Sequence, residues 1–487
     1  MTQPQLPNEL AAAPGEATTR ATAPTRDLAA LEARLDADGV AWHDDAVSLD
    51  AHSRDWWPLT IGWAAHGELP ARPSLVIAPT STAQVAAAVA ACAEAGVPVT
   101  AQGGRSGVCG GAVPAAGAIA LDLTGLSGVV HMDRESLRVR VLAGTFGPEL
   151  EAALRVHGCS LGHFPQSMDL ATVGGWVACR GAGQYSTRYG KIEDLVRGLT
   201  VVLADGSVVT TGGAGPREAV GPDLTQLFVG SEGTLGVVTE VELVVHALAP
   251  AEQRGAWSFD SFAAGLDACR RILQRGATPA VLRLYDEIES QRTFEIDRCV
   301  LVVLDEADEG LLAATMAIVD EECAVAVRED DALVEHWLGR RNDVSALGPL
   351  WERGIVVDTI ETAATWAVLE TLREAVTAAM LAVPETTVAS VHQSHAYADG
   401  ACLYFTFAGR PDDADAYYGA VWDAASTSAL RLGASLSHHH GVGRNRARFV
   451  RPALGAGFGV LESVKAALDP ASLLNPGVLD LGTQAST

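Results

Sequence analysis

The chain predicts an α+β fold built in two parts, and three observations predict it. Between about Arg72 and Pro250, strand-like runs feed three glycine-dense loops. Beyond about Pro250, short β-like runs alternate with amphipathic helices, the pattern of an antiparallel sheet with helices laid on it. The length, 487 residues with 48% hydrophobic and 19% charged, supports a large globular core.

Charge and composition narrow the function classes. A net charge of -26 repels the phosphates of nucleic acid and, more weakly, an anionic membrane surface. No run of about 18 apolar residues exists to span a bilayer, and the first residues lack the apolar core of a signal peptide. A cytoplasmic location is therefore expected. Its eight cysteines (Cys92, Cys109, Cys159, Cys179, Cys269, Cys299, Cys323 and Cys402) form no CxxC pair and sit mostly in apolar runs, so buried reduced thiols are expected. Residues 1–25, rich in Ala, Pro and Thr, are expected to lack order.

The first part reads strand by strand. Ser74–Ala78 is a buried strand. Ser81 and Gln84 suggest a capping box opening an Ala-rich helix that stops at Gly96. Val97–Thr100 then runs straight into AQGGRSGVCGG (101–111). Stripping side chains from a loop lets backbone N–H groups approach an anionic ligand, although an ordinary glycine-rich turn reads the same way. A second cluster, GHFPQSMDLATVGGWVACRGAGQYSTRYGKIED (162–194), adds hydroxyls and the cations Arg180 and Lys191. A strand over Leu199–Leu203 and a tight turn at 204–207 follow. The third cluster is FVGSEGTLGVVTE (228–240). Three such loops suit one extended ligand rather than a mononucleotide. No strand–GxGxxG–helix unit with a later acidic residue marks a Rossmann site.

In the second part, Gly255–Phe259, Ala280–Leu284, Cys299–Leu304 and Ala401–Phe407 read as strands. Helices are expected near Ser261–Gln274 and over Ala363–Met380, with a last helix and two proline-bounded turns over 461–479.

The segments PQSMDLATVGGWV (165–177), YGKIEDLV (189–196), GSEGTLGVVTE (230–240), PAVLRLYD (279–286), ETAATW (361–366), GACLYFTF (400–407) and SLSHHHGVG (435–443) carry a resemblance to a known family. The chain resembles PCMH-type (vanillyl-alcohol oxidase) flavoproteins, and within them looks like alkyldihydroxyacetonephosphate synthase and its bacterial relatives, from about residue 50 to about 480. The resemblance implies a two-part FAD-binding domain with an antiparallel-sheet cap and a C-terminal helical return segment. The expected division is a helical lead-in over 26–71, an FAD-binding part over 72–249, a cap over 250–430 and a closing segment over 431–487. It also implies FAD contacts at Thr100, Ala101, Gln102, Gly103, Gly104, Arg105 and Ser106. Further contacts are implied at Pro165, Gln166, Ser167, Met168, Asp169, Leu170 and Ala171, at Ala178, Cys179, Arg180 and Gly181, and at Glu232, Gly233, Thr234, Leu235, Gly236, Val237 and Val238. Covalent relatives carry a histidine in the first glycine loop, where this chain has Gly104-Arg105-Ser106. Bicovalent ones add a cysteine ahead of the second set of glycines, which is absent here; Cys109 does not match that pattern. Non-covalent FAD is therefore expected.

Candidate chemistry sits at five residues. His438, His439 and His440 read as a metal site lacking a visible further ligand, as a surface cluster, or as acid/base groups with the right ordinary pKa. The resemblance places them at the active site. Tyr404 in ACLYFTF reads as a core aromatic, but falls where the family has its proton-transferring tyrosine. Arg283 in LRLYD reads as a partner for Asp286 or Glu287, or as the activity-critical arginine the family has there. No metal is expected; the partner is a small-molecule substrate, and a homodimer is left open.

One departure bears on the substrate. The resemblance implies a phosphate-binding arginine upstream of ETAATW, and counting back places it at Leu347, with Arg340, Arg341 and Arg353 nearby. Two functions follow. The first is a redox-neutral transferase of the synthase kind, which works at flavin N5 by removing a proton, losing a fatty acid and adding a fatty alcohol. The second is an oxidase or dehydrogenase of a small hydroxy acid or alcohol.

Overall fold

The computed structural model describes residues 9–24, 26–213 and 215–482. Its elements begin as the local signals dictate. Ser81 caps the helix Thr82–Ala95 by accepting the Gln84 N–H at 3.2 Å, and Gly96 closes it at φ +62°. Only half of the expected capping box forms, because the Gln84 side chain turns to the Thr80 N–H at 2.8 Å. The parallel strands Leu75–Ala78, Val99–Gln102 and Ile119–Asp122, with Ala41–His43 antiparallel at one edge, form a four-stranded sheet. A five-stranded antiparallel sheet follows, in the order 208–211, 196–202, 237–244, 138–142, 129–133. The first glycine loop leaves the strand Val99–Gln102, and the second and third lead into 196–202 and 237–244.

The expectation that residues 1–25 lack order is corrected for the described residues 9–24. Thr18–Thr19 pairs with Glu68–Leu69, and Arg20 forms ion pairs with Glu68 and Asp415. Paired backbone and two ionic partners hold a segment that composition alone marks as loose. Residues 1–8 and 25 lie outside the described residues.

The third sheet has seven strands, in the order 327–329, 251–259, 299–307, 281–285, 386–396, 400–409, 356–365. Alternation assigns its two faces. Leu282, Leu284, Leu301, Val303, Leu403, Phe405 and Phe407 share one apolar core with the helices Phe262–Gln274, Glu309–Glu322, Leu369–Leu381 and Ala414–Arg431. The opposite face carries Val281, Val300 and Val302 beside Trp337, and further along it Arg283, His392 and Tyr404.

The long helix expected over Ala363–Met380 is a correction. Residues Val356–Thr365 form a strand along Gly400–Gly409, and the helix starts at Leu369. The β-branched residues Thr359, Ile360, Thr362 and Thr365 favour the extended form, and ten paired positions outweigh the helical spacing of the following alanines.

Candidate active site

A cavity of about 920 Å³ lies between the glycine loops and the open face of the seven-stranded sheet. Of the residues expected at FAD, it is lined by Ala101–Ser106, Pro165–Ser167, Asp169–Ala171, Ala178, Cys179, Gly181, Glu232, Gly233 and Gly236–Val238. Five do not line it. Thr100 turns inward to the Asn475 side chain, and the Thr234 hydroxyl donates to the Ser231 carbonyl. Met168 and Leu235 join the apolar core, and Arg180 points outward to Glu193. Strand alternation turns Thr100 away; the other four are turned away by the turns and the helix C-cap in which they lie, which a motif does not show.

The glycines serve the loops before they serve a ligand. A Cβ on Gly104 would sit 1.7 Å from the Leu170 carbonyl oxygen, and one on Gly174 would sit 2.8 Å from the Ala143 Cβ. The first two clusters are thus locked to each other and to the five-stranded sheet. Each cluster also holds a non-glycine residue in the left-handed region: Arg105 (φ +54°), Arg180 (φ +57°) and Glu232 (φ +50°). Such conformations persist where the surroundings impose them. Several cavity-lining polar atoms are buried without a protein partner: Trp56 Nε1, Arg105 Nε and Gln184 Oε1. Buried polar atoms are normally satisfied, so this wall is complementary to a polar, hydrogen-bonding ligand and fits the expected FAD.

Facing the loops is a row of residues in lateral register. Tyr404 pairs with Glu361 on one side and His392 on the other, and His392 pairs with Tyr285. Their side chains therefore emerge on one face. The His392 ring stacks between Tyr285 (5.0 Å) and Tyr404 (4.8 Å). Thr359 donates its hydroxyl proton to Tyr404 Oη at 3.0 Å. Burial pushes the Tyr404 phenol above its ordinary range.

Arg283 donates from Nη2 to His392 Nε2 at 2.7 Å, and His392 Nδ1 lies 2.7 Å from Glu289 Oε2. This order fixes the tautomer: Nε2 accepts, so Nδ1 carries the hydrogen that goes to Glu289. Burial alone would raise the Glu289 carboxyl, but His392, Arg292 and the Ser390 hydroxyl hold it down at about 2. Arg283 does not pair with Asp286. That carboxylate accepts the N–H groups of Glu289 and Val391, both at 2.7 Å, as cap and cross-link.

The histidine triplet lies in a loop over 435–443 held by two carboxylates, of which Glu361 is fully buried. Glu361 accepts the N–H groups of His438 (2.6 Å) and His440 (2.8 Å) and the Ser437 hydroxyl (2.8 Å), and it lies 3.2 Å from Arg446. Burial would raise this carboxyl, but Arg446 foremost among its neighbours drives it far below the ordinary range. Glu232 accepts the N–H groups of Val442 (2.6 Å) and Gly443 (2.7 Å), and burial raises it to about 7. His439 and His440 line the cavity, and His438 sits behind them. Burial lowers His438 and His439 to about 3 and His440 to about 4, leaving neutral imidazoles at neutral pH.

The ligating atoms of His395, His438 and His439 lie within 4.8 Å of one another, as do those of Glu361, Cys402 and His439. His438 and His439 already share a hydrogen bond between their Nδ1 atoms at 3.0 Å, which a metal on either nitrogen would displace. Sequence reasoning missed Glu361, His392 and His395. The first lies inside the ETAATW block, yet its partners are some 75 residues away, so only the fold reveals its task.

The cavity is also lined by Leu347 together with Arg340, Arg341 and Asn342; Arg353 is exposed. Arg341 lies over the rings of Tyr185 (5.2 Å), Trp337 (5.6 Å) and Phe164 (5.8 Å), with Nη1 buried and unpartnered.

Comparison with known proteins agrees with this geometry. Residues 73–212 match the FAD binding domain family, and residues 248–479 match the C-terminal domain of FAD linked oxidases. The uncharacterized FAD-linked oxidoreductase YgcU of Escherichia coli K12 is 30% identical over 387 residues, 74% of this chain and 79% of its own length. Alkyldihydroxyacetonephosphate synthase of Dictyostelium discoideum is 28% identical, with 84% of this chain and 74% of that protein covered. The glycolate oxidase subunit GlcD of Bacillus subtilis is 28% identical, with 86% and 91% covered. A solved alkyldihydroxyacetonephosphate synthase superposes with a TM-score of 0.78 at 24% identity, covering 94% of this chain and 87% of that one. p-Cresol methylhydroxylase does so at 0.74 and 16%, covering 93% and 96%, so the fold is of the PCMH type. No helix among the described residues is long and apolar enough to cross a membrane. Taken with the loops and the cavity they enclose, these matches show that the chain is an enzyme belonging to the FAD-linked oxidoreductase family.

Proposed function

We propose that this enzyme is of the alkyldihydroxyacetonephosphate synthase-like subgroup, with Tyr404 and the cavity-lining histidines moving the proton at the reacting carbon. The observation that carries this reading is the position of Tyr404. Its phenol faces the cavity between the stacked His392 and the His439–His440 pair, with ring centroids 6.2 and 5.4 Å from these two. Because burial raises the phenol and lowers the imidazoles, Tyr404 rests as a proton donor and His439 or His440 as a neutral acceptor. Arg283, oriented by His392, offers positive charge to an oxyanion or to an electron-rich ring edge.

FAD supplies an electron-accepting centre that no side chain offers. Residues 101–106, 165–167, 169–171, 231–233 and 236–238 would line it, with Arg105 and Gln184 supplying side-chain bonds. We read it as non-covalently held. Burial raises the Cys109 thiol and pushes Cys179 up to about 12, so neither wall thiol is a ready nucleophile. Acid precipitation should leave all of the yellow colour in the supernatant; colour retained in the pellet would contradict this.

A second reading is an oxidase or dehydrogenase of a small hydroxy acid or alcohol. Leu347 favours it, since an apolar side chain lines the wall where a phosphate-binding arginine is implied. Anaerobic mixing separates the two. Fatty-acid release from acyl-dihydroxyacetone phosphate without lasting flavin bleaching supports the transferase; bleaching by glycolate or a longer hydroxy acid supports the oxidase. Neither response would reject both.

A further inference from the structure

Two of the cavity's imidazoles, His395 and His439, are joined to each other by hydrogen bonds that run behind the cavity wall. From His439, Nδ1 lies 3.0 Å from His438 Nδ1, and His438 Nε2 lies 3.1 Å from the phenol oxygen of Tyr397. From His395, Nδ1 lies 2.9 Å from Ser186 Oγ, which lies 3.2 Å from the same phenol oxygen. Neither Ser186, Tyr397 nor His438 lines the cavity. With both Nδ1 atoms engaged, each cavity-lining ring has Nε2 left to offer a substrate.

We propose that His438, Tyr397 and Ser186 form a proton relay linking His439 to His395, so that a proton taken at one point of the cavity wall is returned at another. This rests on the acid–base role proposed for His439. The relay balances with every group neutral. When His439 Nε2 accepts a proton, its Nδ1–H passes to His438 Nδ1 and the His438 Nε2–H passes to Tyr397 Oη. The Tyr397 hydroxyl proton passes to Ser186 Oγ, the Ser186 proton passes to His395 Nδ1, and His395 releases its Nε2–H to the cavity. One proton enters, one leaves, and each imidazole ends as the other tautomer. The starting arrangement is self-consistent, since each donor in it faces one acceptor.

Geometry keeps the path apart from any direct transfer. The His395 and His439 rings meet edge to face at 4.7 Å with no hydrogen bond between them. The His438 ring is held by stacking on His395 (5.0 Å) and on Tyr397 (5.7 Å). Burial keeps the three imidazoles neutral, as a tautomeric relay needs. The members come from three segments distant in sequence. Ser186 opens the short helix Ser186–Tyr189, Tyr397 starts the turn between two sheet strands, and His438 lies in the carboxylate-held loop. Lys191 Nζ, 4.7 Å from the centre of the Tyr397 ring, steadies the phenol from outside.

The test uses the FAD-loaded protein labelled with 15N-histidine, whose ring nitrogens report tautomers in NMR spectra. Ser186→Ala should change the tautomer balance of His438 and His439, not only that of His395, because the signal must cross Tyr397. Tyr397→Phe, isosteric and half-buried, should retain full flavin content and uncouple the two ends. A response confined to His395 in Ser186→Ala overturns the relay. Kinetically, Tyr397→Phe should lower turnover of acyl-dihydroxyacetone phosphate by about tenfold, the low side of a lost proton-transfer group. KM should stay within about twofold, with a larger solvent deuterium effect. An unchanged rate and isotope effect would deny the relay a catalytic use. Absence of turnover in the natural protein counts against the proposed function, and the NMR result still decides the relay.

Discussion

Glu361 and Arg446 form a fully buried ion pair at 3.2 Å, and the same carboxylate holds the backbone of the histidine triplet. Removing one partner of such a pair strands a charge in the interior. Glu361→Ala should therefore cost about 3–5 kcal/mol of stability. The isosteric Glu361→Gln should fold with a lowered denaturation midpoint and a severe loss of activity, because an amide –NH2 would face N–H groups. Chemical denaturation of both variants checks this; midpoints equal to the natural protein's would mean that Arg446 is satisfied elsewhere.

Tyr404→Phe and His439→Ala should retain FAD and lose turnover by about 100-fold or more, the usual range for an acid/base group. Flavin content measured beside steady-state rates separates chemistry from folding. Near-normal rates in both would return Tyr404 to the role of a core aromatic.

His163 is enclosed against Trp176, with both ring nitrogens lacking a partner, and burial lowers it to about 3. A depressed folded-state pKa contributes stability that is fully present above the unfolded value and is lost as pH falls towards the folded one. Between about pH 6.5 and 3 the unfolded chain binds this proton and the native protein does not. At pH 5 the loss is about 2 kcal/mol. His163→Phe keeps the edge-to-face ring contact with Trp176 and removes the titration. Its melting temperature should exceed that of the natural protein at pH 5 by more than at pH 8. A pH-independent difference would sink the assignment.

Leu347→Arg should raise affinity for a phosphorylated ketone, since a guanidinium there would share the cavity with Arg341. The natural protein should bind that substrate weakly. Saturation kinetics on both decide it. Micromolar saturation of the natural protein would instead give the phosphate to Arg340 or Arg341, and Arg341→Met would then abolish it.

Local structure was legible where one residue decides it. Ser81 and Ser261 cap the helices that follow them, Gly96 ends its helix, and Leu282 and Leu284 mark the buried face that leaves Arg283 on the other. The loops, most of the cavity-lining residues and the triplet could be read from motif and resemblance. Illegible was whatever depends on register between distant strands. Tyr404 stands beside His392 and Glu361 only because three strands align. Ala363 to Thr365 looked helical because spacing carries no record of a paired neighbour. The glycines were expected to make room for a ligand, yet at Gly104 and Gly174 the nearest obstacle is another stretch of this chain.

Asn475, near the end of the described chain, accepts the Thr100 hydroxyl and donates to the carbonyls of Gly111 and Glu232. Lys465 donates to the Thr234 carbonyl, and Leu473 accepts the Val99 N–H. The first and third glycine loops are thus pinned by residues synthesised more than 200 positions later. A ribosome that has made the whole glycine-rich part has still not made a finished cofactor site. Flavin capture is consequently a late event in the life of each molecule, and a chain stalled before residue 475 would leave the ribosome colourless.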